Sequence, residues 1–266
     1  MTAGQVSTCA HRPPTLPYHI PMAPAVTSLR KERDLKAREE LILDHARRLL
    51  AEKGFQAWNM EQLAVAVEYS KGTLYQHFSS KEDLVLAVAS RILNLRADLF
   101  EQAASFKGST REQGRAIGLA SCVFAHRHPD FFHIEMMLKS ASFWEKASPE
   151  RKEAHARAGA RCWRTLYNII VSAIALGDMP RHPWSAEHAT MALISITIGS
   201  HVVGMEHNLR VFAGIDNPLL SVRLNQDLVC DGLGWKPLLH EHDYATTDQR
   251  IVSEIFPDAA AFLIPA

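Results

Sequence analysis

The chain has 266 residues, enough for one large or two modest domains, each with its own buried core. Its 47% hydrophobic and 22% charged residues are those of an ordinary globular protein and exclude a disordered or fibrous one. Because 29 basic side chains are balanced by 29 acidic ones, any site for nucleic acid must be a local patch rather than a general basic excess.

The first 30 residues carry Pro13, Pro14, Pro17, Pro21 and Pro24 and no continuous apolar run, which predicts a disordered proline-rich arm over 1–30 and argues against a secretory signal. A cluster of Arg30, Lys31, Arg33, Lys36 and Arg38 follows, suited to phosphates but equally to a solvated charged face. Ile42, Ala46, Leu49 and Leu50 then make the buried stripe of a first helix, stopped by Gly54. Asn59 with Gln62 reads as a capping box opening a short second helix over Met60 to Val67. Ser70 is the N-cap of a third short helix to about Phe78, and Ser80 with Asp83 caps a long fourth one. The stripe of that fourth helix, Leu84, Val88, Ile92, Leu95 and Leu99, runs to about Phe106, before Gly108 and Ser109.

Beyond Gly108, the pairs His128-Pro129, Ser148-Pro149 and Asn217-Pro218, with Gly177, Pro183 and Gly214, punctuate further helical segments. Cys162, Leu166, Ile169, Ile170 and Ala173 stripe one of them. The apolar run Met191 to Val203 is too short to span a membrane, which takes about 20 residues. No period-2 strand pattern stands out, so the expected fold class is all-α. Its parts are a three-helix domain with a helix-turn-helix over 31–82, a larger helical domain over 83–235, and a C-terminal extension over 236–266. Cys9, Cys122, Cys162 and Cys230 form no C-x-x-C pair, which fits a reduced cytoplasmic setting.

Two short capped helices joined at Val67 to Tyr69 make the helix-turn-helix, whose last helix is the one offered to a major groove. There Leu74 and Phe78, four apart, can face the core, leaving Lys71, Thr73, Gln76 and His77 exposed, with Gly72 allowing close backbone approach. Lys can donate to guanine, Gln can pair with adenine, and Thr can contact a base or a thymine methyl. Lys81, opening the next helix, is expected to hold a phosphate.

The residues from Arg38 to about Leu86 resemble the DNA-binding domain of the tetracycline-repressor family. The likeness runs through Ile42-Leu43-Asp44-His45-Ala46, Leu49-Leu50-Ala51-Glu52-Lys53-Gly54-Phe55, Met60-Glu61-Gln62-Leu63-Ala64, Ser70-Lys71-Gly72-Thr73-Leu74-Tyr75-Gln76-His77-Phe78 and Ser80-Lys81-Glu82-Asp83-Leu84. That resemblance implies base or groove contact from Lys71, Gly72, Thr73, Tyr75 and Gln76, and phosphate contact from His77 and Lys81. It also implies DNA binding for the domain over 31–82 and ligand binding and dimerisation for the one over 83–235, with a homodimer on a pseudo-palindromic double-stranded operator, a small-molecule effector, and repression relieved by that effector. The sequence departs from the family at His45, where alanine is usual, and at Glu68, where the turn usually has glycine. His128 to Phe132 resembles the family's loop between its fifth and sixth helices, and Trp184 to Val203 with Pro218 to Asp231 match the pairing helices of the dimer.

Phe124, Met136, Trp163 and Tyr167 belong to an aromatic and methionine-rich stretch that reads either as core or as an apolar effector pocket. The histidine groups His126, His128, His133 and His201, Glu206, His207 are weaker metal candidates, and Cys122 with Cys162 is read as buried packing rather than a redox pair. No cofactor is expected. An all-α enzyme is the competing class, but the sequence has no Gly-rich phosphate loop, no G-x-S-x-G and no H-E-x-x-H.

Overall fold

The computed structural model describes residues 26–138 and 141–264, and every regular element in them is helical. Residues 26–40 and residues 41–264 fall into two compact units. Of the arm expected over 1–30, residues 1–25 lie outside the described residues, whereas residues 26–30 are already helical. The next proline after Pro24 is Pro129, so nothing in this stretch blocks helix formation.

Helix α1 (Val26–Lys53) ends at Gly54, whose φ of +68° is the left-handed stop the sequence called for. Helices α2 (Met60–Ala66), α3 (Lys71–His77) and α4 (Lys81–Ala104) follow, and all three begin on the caps expected. Asn59 and Gln62 bond reciprocally at 2.9 and 3.0 Å, Ser70 accepts from the Thr73 amide at 3.1 Å, and Ser80 accepts from the Asp83 amide at 3.0 Å. Ile42, Ala46, Leu50, Leu63, Leu74, Phe78 and Leu84 then share one core, which binds the first three helices to the start of α4. The stripe expected on α4 is broader than a stripe: residues 83–90 are buried on every side, while Leu95 is 41% exposed. The cause is double coverage, since the first turns of α4 share a core with Leu74 and Phe78 and also pack beside α8.

The helical domain continues with α5 (Thr110–Arg127), α6 (Phe131–Met137), α7 (Ala141–Glu145), α8 (Pro149–Leu176), α9 (Ala186–Gly204), α10 (His207–Ala213) and α11 (Pro218–Gly232). Ser148 and Asn217 cap α8 and α11 with proline at the first helical position. Helix α8 packs along α4 through the stripe read from its sequence, and α9 packs along α11.

The C-terminal segment is not an appendage. Helix α12 (Tyr244–Ile255), a 3₁₀ turn (Pro257–Ala259) and α13 (Ala260–Leu263) send Ile251, Val252, Phe256 and Leu263 into the same core as Leu119, Cys122, Ile170 and Trp235. A boundary at residue 235 therefore cuts through one hydrophobic unit. Among the described residues no single helix is long and apolar enough to cross a membrane; α9 with α10 reaches that length only jointly, across a 92° bend.

A capped reading helix and a cavity in the helical domain

The turn between α2 and α3 passes through Glu68, whose φ of +56° is left-handed, so the position the sequence marked as glycine-like is held by a non-glycine residue. The Tyr69 amide returns to the Ala64 carbonyl at 3.0 Å, and Ser70 then starts α3. Because Leu74 and Phe78 are fully buried, α3 has one fixed rotation: Lys71, Gly72, Tyr75 and Gln76 face out, with Thr73 and His77 half-buried. A Cβ added at Gly72 would touch only the Ser70 hydroxyl at 3.7 Å, so no intramolecular packing demands glycine there. The open space lies on the outer face, where a backbone or base edge can come close.

Not every expected side chain is free. The Lys71 ammonium is paired with Glu61 on the surface, and the Thr73 hydroxyl lies 2.8 Å from that of Ser70. The largest departure is Lys81. Its ammonium donates to the Phe55 and Trp58 carbonyls and stands 4.4 and 4.2 Å over the rings of the same two residues. Burial pushes its pKa below the usual lysine value. The loop between α1 and α2 leaves those carbonyls without helical partners, and a cation one helix start away satisfies them better than bulk water. Lys81 thus fastens this loop instead of presenting a free charge to a phosphate. Arg30, Lys31, Arg33, Lys36 and Arg38, in the first compact unit, are all exposed.

Among the contacts that join this domain to the helices behind it, two are multidentate. Asp83 accepts from the Ser79 amide and hydroxyl at 3.2 and 2.9 Å and from the Ser148 amide at 2.8 Å; burial alone would raise its pKa, but these bonds hold it below the usual carboxylate range. Arg47 on α1 grips Asp130 at 2.6 and 2.7 Å and lies 3.0 Å from His128 Nδ1, just before α6.

A cavity of about 240 Å³ lies between α4, α5, α6, α8, α9 and α11. Of the four residues named for an effector pocket, Phe124 and Trp163 line this cavity and Met136 and Tyr167 do not. Helix α6 buries Phe131, Phe132 and Ile134, and Met136 sits with His133 on its opposite, exposed face. The Tyr167 hydroxyl instead donates to Glu187 at 2.9 Å on the surface. Residues the sequence reading missed complete the wall. Arg96, Glu135 and His201 form one polar end, and Arg111, Arg115, Arg223 and Asp227 the other. At this second end Arg115 binds Asp227 and Asp248, Arg111 binds Asp227 and Asp231, and Arg223 binds Asp248. The signal was present: Arg111 and Arg115, one turn apart on apolar α5, answer Asp227 and Asp231, one turn apart on apolar α11.

Among the described residues no group of three histidines, cysteines or carboxylates is placed to hold a metal. His126 stacks on Phe262 and His201 on Phe132. Cys122 and Cys162 are buried in different cores, and burial pushes both thiols upward, Cys122 to about 12. On the outside, α9 exposes Met191, Ala192, Ser195, Gly199 and Val203, and α11 exposes Leu220, Leu224 and Leu228, both sets at near four-residue spacing.

Residues 42–88 match the family described as bacterial regulatory proteins, tetR family. The chain is 34% identical over 70 residues to the uncharacterized HTH-type transcriptional regulator YuxN of Bacillus subtilis, covering 23% of this chain and 24% of that one. It is 41% identical over 56 residues to the HTH-type transcriptional repressor AcnR of Corynebacterium diphtheriae, covering 21% of this chain and 30% of that one. The matched stretch thus spans only about a quarter to a third of these two curated relatives. In fold, a tetR-family regulatory protein from Rhodococcus RHA1 superposes with a TM-score of 0.58 at 19% identity, over 74% of this chain and 97% of that one.

Proposed function

We propose that this chain, whose DNA-binding domain at residues 42–88 belongs to the tetR family of bacterial regulatory proteins, is a dimeric transcriptional repressor released from its operator by a small, largely apolar effector. The observation that carries the reading is α3 itself: a capped helix fixed in rotation by Leu74 and Phe78, with Gly72, Tyr75 and Gln76 on its open face. Gln76 reads a base edge, Tyr75 and Gly72 bring the backbone close, and Lys71, once it leaves Glu61, and His77 reach guanine or phosphate. Support for repression comes from AcnR, a named repressor. Against an enzymatic role, both curated relatives and the superposed Rhodococcus protein are described as regulators.

Dimerisation follows from the exposed apolar faces of α9 and α11, which a monomer would leave in water. Two copies joined there carry two reading helices to half-sites of a pseudo-palindromic operator about 34–36 Å apart. The route from cavity to DNA runs through α6, where Phe132 and Glu135 line the cavity and Asp130 holds Arg47 of α1. An effector that shifts α6 shifts the first helix of the reading domain, favouring a geometry that no longer fits successive grooves.

Selection of bound sequences from randomised double-stranded DNA tests the reading. The full chain is expected to enrich a two-fold symmetric site, and Gln76→Ala to lose about 1–3 kcal/mol there with relaxed preference at one base pair per half-site. Failure of the chain to enrich any sequence overturns it.

A further inference from the structure

The polar groups around the cavity balance one another, and one pair of them is left incomplete. Four guanidinium groups, of Arg96, Arg111, Arg115 and Arg223, line it, and four carboxylates oppose them: Glu135 and Asp227 in the wall, Asp231 and Asp248 behind it. An anion entering this space would have to displace a resident carboxylate, and a cation a resident guanidinium, leaving a buried charge short of its partner. The charge balance therefore favours a neutral guest.

At the far end every carboxylate is engaged; the Arg223 Nε is buried without a partner there, but no unpaired acceptor stands with it among the described residues. Arg115 makes paired bonds to Asp227 and to Asp248, and Arg111 also reaches the Trp235 carbonyl at 2.7 Å. At the near end the pairing is incomplete. Arg96 and Glu135 stand 3.8 Å apart, too far for a hydrogen bond, and the Arg96 Nε and Glu135 Oε2 atoms are buried with no hydrogen-bond partner. One is a donor without an acceptor, the other an acceptor without a donor. A single hydroxyl completes both, accepting from Nε–H and donating to Oε2. Phe124, Phe132, Trp163, Leu193 and Ile194 line the same cavity, and the Phe124 ring centroid lies 5.7 Å from the Arg96 guanidinium. A dry cavity of about 150 Å³ holds benzene, so one of 240 Å³ has room for a fused pair of rings.

We propose that the effector is a neutral aromatic alcohol or phenol, its rings lying against Phe124, Phe132 and Trp163 and its hydroxyl bridging Arg96 and Glu135. This rests on the cavity being the effector site of the regulator described above, and it narrows an apolar guest to one carrying a hydroxyl.

Calorimetric titration of the full chain at neutral pH with 2-naphthol, naphthalene and 2-naphthoate tests it, with DNA binding measured on the same samples. Wild type is expected to bind 2-naphthol about tenfold or more tighter than either of the others. Glu135→Gln removes the charge that neutralises Arg96, so naphthoate should gain and naphthol lose affinity, by about tenfold in each direction, until the preference inverts. A wild type that prefers naphthoate, or that binds naphthalene as tightly as naphthol, overturns the proposal. So does a folded Glu135→Gln that keeps the wild-type order. If that variant does not fold, the wild-type ranking decides alone. Loss of all three ligands with sequence-specific DNA binding intact sinks the effector class and spares the regulator; loss of DNA binding with naphthol still preferred does the reverse.

Discussion

Replacing Lys81 with methionine keeps a flexible stem of similar length and removes the ammonium that ties the Phe55 to Trp58 loop to the start of α4. Each hydrogen bond from a charged donor contributes about 1.5–3 kcal/mol, but the site is only half-buried, so water recovers part of the loss at both carbonyls. Contacts of the cation with the Phe55 and Trp58 rings, at 4.4 and 4.2 Å, add about 0.5–1 kcal/mol each, of which methionine keeps the dispersion part. Together a loss of about 2–4 kcal/mol is expected, a fall in melting temperature of about 5–12 °C. Calorimetry reads that fall, and DNA titration at several salt concentrations reads the charge. With no phosphate partner to lose, the slope of affinity against salt should stay where it was. An unchanged melting temperature with a slope flattened by about one unit would mean that Lys81 swings outward to DNA and that the fastening is not its role.

Glu68→Gly should raise stability by about 0.5–1 kcal/mol, by relieving a left-handed φ of +56°, and tighten DNA binding by removing an anion beside α3; weaker binding by the folded variant refutes this. Leu228→Asp, at a position 69% exposed, and Leu224→Asp should each give a helical monomer in light scattering, and a stable dimer in both would move the interface elsewhere. Arg47→Ala should cost about 1–3 kcal/mol and leave effector affinity unchanged while abolishing effector-driven release from DNA; normal release places the route outside Asp130. Burial, reinforced by the charge of Arg96, lowers the pKa of His201 from 6.5 to about 4. The unfolded chain therefore binds that proton first, so this stability is whole above about pH 6.5 and declines by roughly 3 kcal/mol as pH falls through about 4. His128 is lowered in the same direction, while Asp83, Glu112 and Asp130, held below the carboxylate range, lose their contribution only at still lower pH. His201→Gln should flatten the denaturation midpoint between those two pH values; an unaltered curve refutes the assignment.

What was legible in the sequence was what is local. Asn59 with Gln62, Ser70, Ser80, Ser148-Pro149 and Asn217-Pro218 act on amides two or three residues away, so the helix starts and the rotation of α3 could be read directly. Glu68 was legible for the same reason, since a turn of fixed length dictates its own φ. Lys81 was not, because the carbonyls it meets belong to residues 26 and 23 positions earlier. Met136 and Tyr167 were misplaced because composition marks an aromatic region without fixing which side of each helix turns inward. The ion network was hidden by distance, Arg111 and Asp227 being 116 residues apart, although their one-turn spacings match.

Asp248, 2% exposed on α12, holds both Arg115 and Arg223, and Arg223 reaches on to the Leu263 carbonyl. The cavity therefore draws part of its ionic floor from α12, 133 residues along the chain from Arg115. A chain clipped after Trp235 would leave these two arginines short of counter-charge at the cavity wall. The same segment fills the core with Ile251, Val252, Phe256 and Leu263, so the charge balance of the cavity and the packing of the helical domain stand or fall together.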